Sequence, residues 1–347
     1  MTGGGEFRIG AGFLGHISGE VGFQQLEAAA RLCEDGGMDS FWVADQRWMR
    51  DVYVSLTYLA ARTERLLLGT RVTDPYVRHP GLTAVAIASL DEASGGRAVM
   101  GIGAGGSGFA QMGIGRPRPA VATREAIQIC RRLWAGEVFE LEGRIVSWHR
   151  GGLEFRCRPD IPVVIAARGP HLLELAGEVA DGAIVASGVS PGGVGWAKER
   201  IARGERRAGK AEGSTELLHM TYISISQDRM RARGAVKKGI SGAVSGSHPT
   251  YDFLRANGLE VPDDLYRYLD TGAREPARIV ELIPDSFVDK LAIAGTADEC
   301  GQQLQGLLDA GIQHPLLSPI PVQPGGELEI LQSVVHQILP GLRRVRA

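Results

Sequence analysis

The chain has 347 residues, 44% of them hydrophobic, which is enough for one large α/β barrel or two medium domains and too apolar for a disordered chain. Its 38 basic and 40 acidic residues leave a net charge of −2, which argues against nucleic acid or an anionic membrane as the main partner. The four cysteines are far apart with no CxxC pair, so neither a disulfide framework nor a structural zinc site is expected. No apolar stretch approaches the ~18 residues of a membrane span, and no basic patch followed by an apolar run opens the chain. The expectation is a cytoplasmic protein without a metal centre.

Phe7–Leu14 alternates and reads as a first strand. Phe23, Leu26, Ala30 and Cys33 recur at helical spacing up to Gly36-Gly37. Ser40–Ala44 reads as the second strand, ending at Asp45, and Val52–Arg62 as the second helix. Leu66–Val72 is a third apolar run, stopped at Thr73-Asp74-Pro75 because proline cannot donate to a ladder. Leu82, Val85, Ala86 and Leu90 mark a helix closed by Ser94-Gly95-Gly96, and Ala98–Ile102 is the fourth strand. This β-α-β unit, with a buried strand on each side, implies parallel pairing.

Ala126, Ile129, Cys130 and Leu133 define a fourth helix. Phe139 and Leu141, a turn at Glu142-Gly143 and a return at Ile145–Trp148 predict a hairpin insertion over residues 137–158. Pro162–Ala167, Ala183–Ala186 and Leu217–Ser226 are the fifth to seventh strands, with helices between them. Residues 227–290 read as a long, polar, helical insertion without strand signals, whose RMRARGAVKK run reads as a solvated helix face, with a phosphate-binding patch as the alternative. Thr296 with Glu299 forms a capping box, Pro315–Ser318 is an eighth strand, and Leu328–Leu339 is a closing helix. Eight strands alternating with helices predict a single (β/α)8 barrel over residues 1–347. A doubly wound open sheet is the alternative.

In such a barrel the strand C-termini converge on one face, where ligands bind. The candidates there are Gly12–His16, Asp45–Trp48, Arg71–Thr73, Ala104–Gly106, Ala167–Gly169, Ala186–Gly188 and the end of the seventh strand. Gly101-x-Gly103-x-Gly105-Gly106 is no dinucleotide fingerprint, since it precedes a proline-rich loop rather than opening a helix. It suits either a tight turn or backbone room beside a flat ligand. Asp45 suits a group that holds a ring or accepts a proton, or equally an N-cap or an arginine partner. His16 is either solvated or a proton donor, and His79 before Pro80 reads as structural. Arg168-Gly169-Pro170 opens a helix, where free amides and a guanidinium suit an anion.

DPYVRHP followed by LDEASGGRAVMGIGAG resembles the luciferase-like superfamily, and within it the deazaflavin branch of methylenetetrahydromethanopterin reductase and its relatives. AARGPHLLELAGEVADGAIV, LAIAGTADECGQQLQGLLDAGI and LLSPI resemble the same family further on. The resemblance implies a (β/α)8 barrel, a homodimer, and coenzyme F420 bound at the strand C-termini. It also implies a non-prolyl cis peptide at Arg71 and Val72 backing the deazaflavin ring, and Asp45 near the ring's reactive side. Ala104, Gly105 and Gly106 would border the ring. Ala167, Arg168, Gly169, Ala186, Ser187 and Gly188 would face the coenzyme's tail. The chain departs from the family pattern where Arg71 replaces a small residue, Gly12 and Gly106 replace carboxylates, and Gln46 replaces a histidine. The expected function is an F420-dependent oxidoreductase that passes a hydride between the deazaflavin C5 and a C=C, C=N or C=O group of a small molecule. Asp45 and His16 are the candidate catalytic residues, and Arg71 would steady an anionic or carbonyl substrate. An FMN-dependent monooxygenase and a non-catalytic flavin- or deazaflavin-binding protein are the alternatives.

Overall fold

The computed structural model describes residues 7–13, 22–106 and 108–342. Its strands are β1 (Gly10–Phe13), β2 (Ser40–Val43), β3 (Leu67–Thr70), β4 (Ala98–Ile102), β5 (Phe139–Leu141), β6 (Trp148–Gly151), β7 (Val163–Ala167), β8 (Gly182–Val185), β9 (Glu216–Ile225), β10 (Ile293–Gly295) and β11 (His314–Pro319). Eight of them close a parallel barrel in the order β1-β2-β3-β4-β7-β8-β9-β11, with β11 paired back to β1. Helices follow the strands, which is the architecture of a (β/α)8 barrel. Among the described residues, no helix is long and apolar enough to cross a membrane.

Period-two alternation divides the strand side chains between two cores. One set, including Phe41, Leu68, Met100, Ile165 and Leu317, packs outward against the helices. The other, Trp42, Val99, Val164, Ile184, Leu218 and Leu316, fills the barrel. Trp42 is its floor. A Cβ at Gly69 would stand 2.2 Å from the indole ring, so only glycine leaves room there. The indole N–H donates to Ser40 Oγ at 2.8 Å, which in turn bonds His314 Nε2 at 2.8 Å. The His314 Nδ1 lies 3.4 Å from Glu216, and Glu216 also pairs with Arg8.

Four features differ from the sequence expectation. The return strand of the hairpin is Trp148–Gly151, not Ile145–Trp148. The buried Glu125 carboxylate accepts from the amides of Arg144, Ile145 and Val146 at 2.7, 3.1 and 2.9 Å, which takes them out of any ladder. The insertion after β9 is not merely polar. Its five helices, from Arg229 to Leu291, enclose a core of their own that includes Val236, Ile240, Phe253, Leu265, Ile279 and Phe287. The short β10 was not expected; it extends the sheet beside β9 outside the closed barrel. The closing helix runs Glu327–Ser333 and ends in a π-helical turn over Val334–Ile338.

Candidate active site

All barrel strands are parallel, so their C-terminal ends share one rim. One inward step above the barrel filling stand Ala44, Ala166, Ala186 and Met220. Each is only partly buried, while its strand neighbours Val43, Ile165 and Ala167, Val185 and Ser187, and His219 and Thr221 are buried. Side chains, three of them alanines, that are less buried than their strand neighbours mark a recess in the barrel mouth. Its margin continues through Val72, Gly103 and the open Gly106, where a Cβ would meet nothing within 4 Å. Against Ala186 and Met220 lies a cavity of about 10 Å³, room for roughly one water, lined also by Arg168, Gly188, Tyr222 and Phe253. A larger cleft of about 470 Å³ lies outside the barrel, but its charges Arg124, Glu178, Glu174 and Arg207 pair with one another.

Asp45 stands on this rim just after β2. It is neither an N-cap nor the partner of Arg47. The cap of the helix Val52–Ala60 is Asp51, whose Oδ1 accepts from the amides of Tyr53 and Val54 at 2.9 and 3.0 Å. Arg47 pairs with Asp74, both buried, and donates to the Asp45 carbonyl at 2.7 Å. The Asp45 carboxyl instead takes the Thr73 hydroxyl as its hydrogen-bond partner. Burial raises its pKa above the usual carboxylate value, against the opposing pull of the Thr73 hydroxyl and the Arg47 guanidinium. Thr73 Oγ1 also accepts from the Tyr53 hydroxyl at 3.2 Å. Burial pushes that phenol to about 12. Asp74 Oδ1 accepts from the amides of Tyr76 and Val77 at 2.8 and 3.0 Å, so the loop after β3 is held by the same residue that anchors Arg47.

The peptide bond between Arg71 and Val72 is cis, as is that between His248 and Pro249. Arg71 is 5% exposed. Its Nη2 spans the barrel to the Gly12 carbonyl at 3.3 Å and Ser318 Oγ at 2.9 Å. Its Nε and Nη1 have no partner among the described residues. Desolvation lowers its pKa to about 10, so it stays charged at neutral pH. Gly12 admits no side chain here, because a Cβ would lie 2.2 Å from the Trp42 carbonyl oxygen.

The remaining candidates divide. Gly105 has φ +76° and accepts from Arg116 through its carbonyl at 3.1 Å. Arg168 does not stay at the helix start as its position in sequence suggests. Its Nη1 reaches Ala243 O and Ser247 Oγ in the insertion at 3.2 and 3.3 Å. The Ser187 hydroxyl is buried and donates to Gly193 O at 2.9 Å. Gly188 turns with φ +94°, and its carbonyl lies 3.1 Å from His219 Nε2. Ala167 is buried, whereas Gly169 is exposed. His16 lies outside the described residues. His79 caps its helix, accepting from the Gly81 amide at 3.1 Å. Sequence reasoning missed Tyr222 and Ser318. Their signal was only their place two steps beyond an inward strand residue.

The sequence model of the luciferase-like monooxygenase family matches residues 9–314. The chain belongs to this family. This luciferase-like protein is 33% identical to a 5,10-methylenetetrahydromethanopterin reductase of Archaeoglobus fulgidus over 334 residues, 93% of this chain and 97% of that one. It is 28% identical to an F420-dependent glucose-6-phosphate dehydrogenase of Nakamurella multipartita over 93% of this chain and 94% of that one. The structure of the coenzyme F420-dependent tetrahydromethanopterin reductase of Methanopyrus kandleri superposes with a TM-score of 0.83 at 26% identity, covering 97% of this chain and 100% of that one.

Proposed function

We propose that this protein is an F420-dependent oxidoreductase that moves a hydride between the deazaflavin C5 and a C=C, C=N or C=O group of a small organic substrate. The observation that carries the reading is the partly buried layer of Ala44, Ala166, Ala186 and Met220 inside the barrel mouth, with Arg71, whose Nε and Nη1 have no partner among the described residues, in the same end of the barrel. The relatives named F420-dependent support the choice of coenzyme. A bound 5-deazaflavin supplies a two-electron hydride centre that the protein's side chains lack.

The chain's own residues supply position and protons. The segment Gly69–Thr73 would back the ring, Ala104, Gly105 and Gly106 would border it, and Ala167–Gly169 and Ala186–Gly188 would hold the tail. Asp45 holds or delivers the substrate proton, and its raised pKa brings it nearer the pH at which carboxyls exchange protons in catalysis. The insertion helices and the loop at 108–119 cover the mouth and exclude water. Positioning by such a barrel is worth several kcal/mol of barrier. The exposed Val54, Leu82 and Val85 lie on two neighbouring helices, an apolar face suited to a second copy of the chain in a homodimer.

Titration of the purified protein with F420, followed by coenzyme fluorescence, tests the reading. Saturation at micromolar protein is expected. No response to F420, with saturation by FMN in its place, would select the monooxygenase alternative.

A further inference from the structure

The rim over β2, β3 and β4 carries an exposed aromatic side chain and an unpaired cation. Trp48, three residues past Asp45, is 70% exposed, the most exposed aromatic side chain among the described residues. Its φ is +68°, a conformation that bulky residues rarely take and that concentrates at ligand-contacting segments. The loop after β4 packs against it. A Cβ at Gly108, where φ is +86°, would lie 2.7 Å from Arg47 Cβ and 3.5 Å from Trp48 Nε1, so only glycine lets that loop close on the pair.

Arg116 stands on the same loop. Its Nη1 donates to the Gly105 carbonyl at 3.1 Å, and its guanidinium lies 4.9 Å from the centre of the Phe109 ring, which Arg47 also approaches at 4.8 Å. The ring is fixed in turn: Tyr76 meets it edge-on with 6.1 Å between centres, and the Tyr76 hydroxyl donates to the Pro117 carbonyl at 3.0 Å. The acids at this end are taken. Asp74 pairs with Arg47, Asp51 with Arg78, and Asp45 with the Thr73 hydroxyl. Arg116 has no carboxylate partner among the described residues; its contacts there are that carbonyl and that ring. A guanidinium oriented by packing, with donors to spare and no acid, suits a carboxylate or phosphate group.

We propose that this part of the mouth recognises the substrate, and that the substrate is a planar, conjugated molecule carrying a carboxylate or phosphate. Its flat body rests on the Trp48 indole and its anion on Arg116. This rests on the oxidoreductase reading above and gives that reading a substrate class. The coenzyme's tail is also anionic, but it would lie over β7 and β8, whereas Trp48 follows β2 and Phe109 and Arg116 follow β4. Asp45 also follows β2, so the proton-handling group and the recognition groups share one side of the mouth.

The test is a calorimetric titration of the F420-loaded protein with 2-naphthoate, its uncharged isostere 2-naphthamide and the non-planar cyclohexanecarboxylate. F420 affinity is measured beside it by coenzyme fluorescence. Wild type should bind naphthoate about tenfold more tightly than naphthamide, the low end for a hydrogen bond to a charged group. Arg116→Gln should bind the two alike, Arg116→Lys should keep part of the preference, and neither should change F420 affinity. Trp48→Ala should weaken both naphthyl probes by about tenfold and cyclohexanecarboxylate far less. No binding of naphthoate at millimolar concentration, equal affinity for acid and amide in wild type, or a preference that survives in Arg116→Gln would overturn the proposal. So would naphthyl affinities unchanged in Trp48→Ala. An Arg116→Gln variant that loses F420 affinity but keeps the naphthoate preference would give the arginine to the coenzyme's tail and overturn it too. If wild type takes up no F420, the oxidoreductase reading fails, and the naphthoate-to-naphthamide ratio of the same protein still decides the recognition site.

Discussion

Arg97 and Arg71 are two arginines drawn in at opposite ends of neighbouring strands. Arg97 precedes β4 at the closed end and uses all three nitrogens: Nε to Ser94 O, Nη1 to Thr63 Oγ1 and Leu66 O, and Nη2 to Ala60 O and Thr63 O, all at 2.7–3.0 Å. It ties a helix end and two loops together. Arg71 follows β3 at the open end and, among the described residues, uses only Nη2. The Arg8–Glu216–His314–Ser40–Trp42 chain, near the closed end, is likewise connected from member to member. A cation kept for the fold is saturated by the fold, whereas one kept for a ligand is left with donors free.

The rim side of that comparison breaks most sharply at Asp45. Asp45→Asn should lower kcat by about 10²–10⁴, the range for loss of a positioned proton-transfer group, with F420 affinity little changed. The same variant should melt higher than wild type at neutral pH. A carboxyl whose folded pKa is raised is destabilising when ionised, so the fold loses stability as pH rises through its titration. The gap in Tm should close as pH falls toward about 4, where the unfolded carboxyl also protonates. A gap independent of pH would remove Asp45 from this role.

The two arginines then separate in thermal melts. Arg97→Met strands several buried carbonyls and should cost about 2–4 kcal/mol with no effect on coenzyme binding. Arg71→Met removes an uncompensated charge and should leave the apoprotein as stable as wild type, or more stable by about 1–3 kcal/mol. Equal losses for both variants would show that Arg71 is structural as well.

Much of this division was legible in sequence, though unevenly. Ala98–Ile102 begins and ends where its apolar run does, because Arg97 and Gly103 bound it on both sides. The rim residues followed from strand ends alone, since parallel strands bring those ends together. The state of each side chain did not follow. Nothing local says that Arg47 chooses Asp74 over Asp45, or that Arg168 crosses to Ala243, because these partners lie far along the chain. The hairpin slipped for the same reason: Glu125, on a preceding helix, takes the amides of residues 144–146. The insertion hid much of its core because four of its five helices, such as Asp252–Ala256 and Asp263–Asp270, have only five to eight residues, too short for periodicity to register.

A crystal structure of the protein with F420 tests the central claim most directly. The account predicts the tricycle in the recess against Gly69–Thr73, its open face toward Asp45. A coenzyme bound on the outer surface, or a recess too shallow to take the ring, would contradict it.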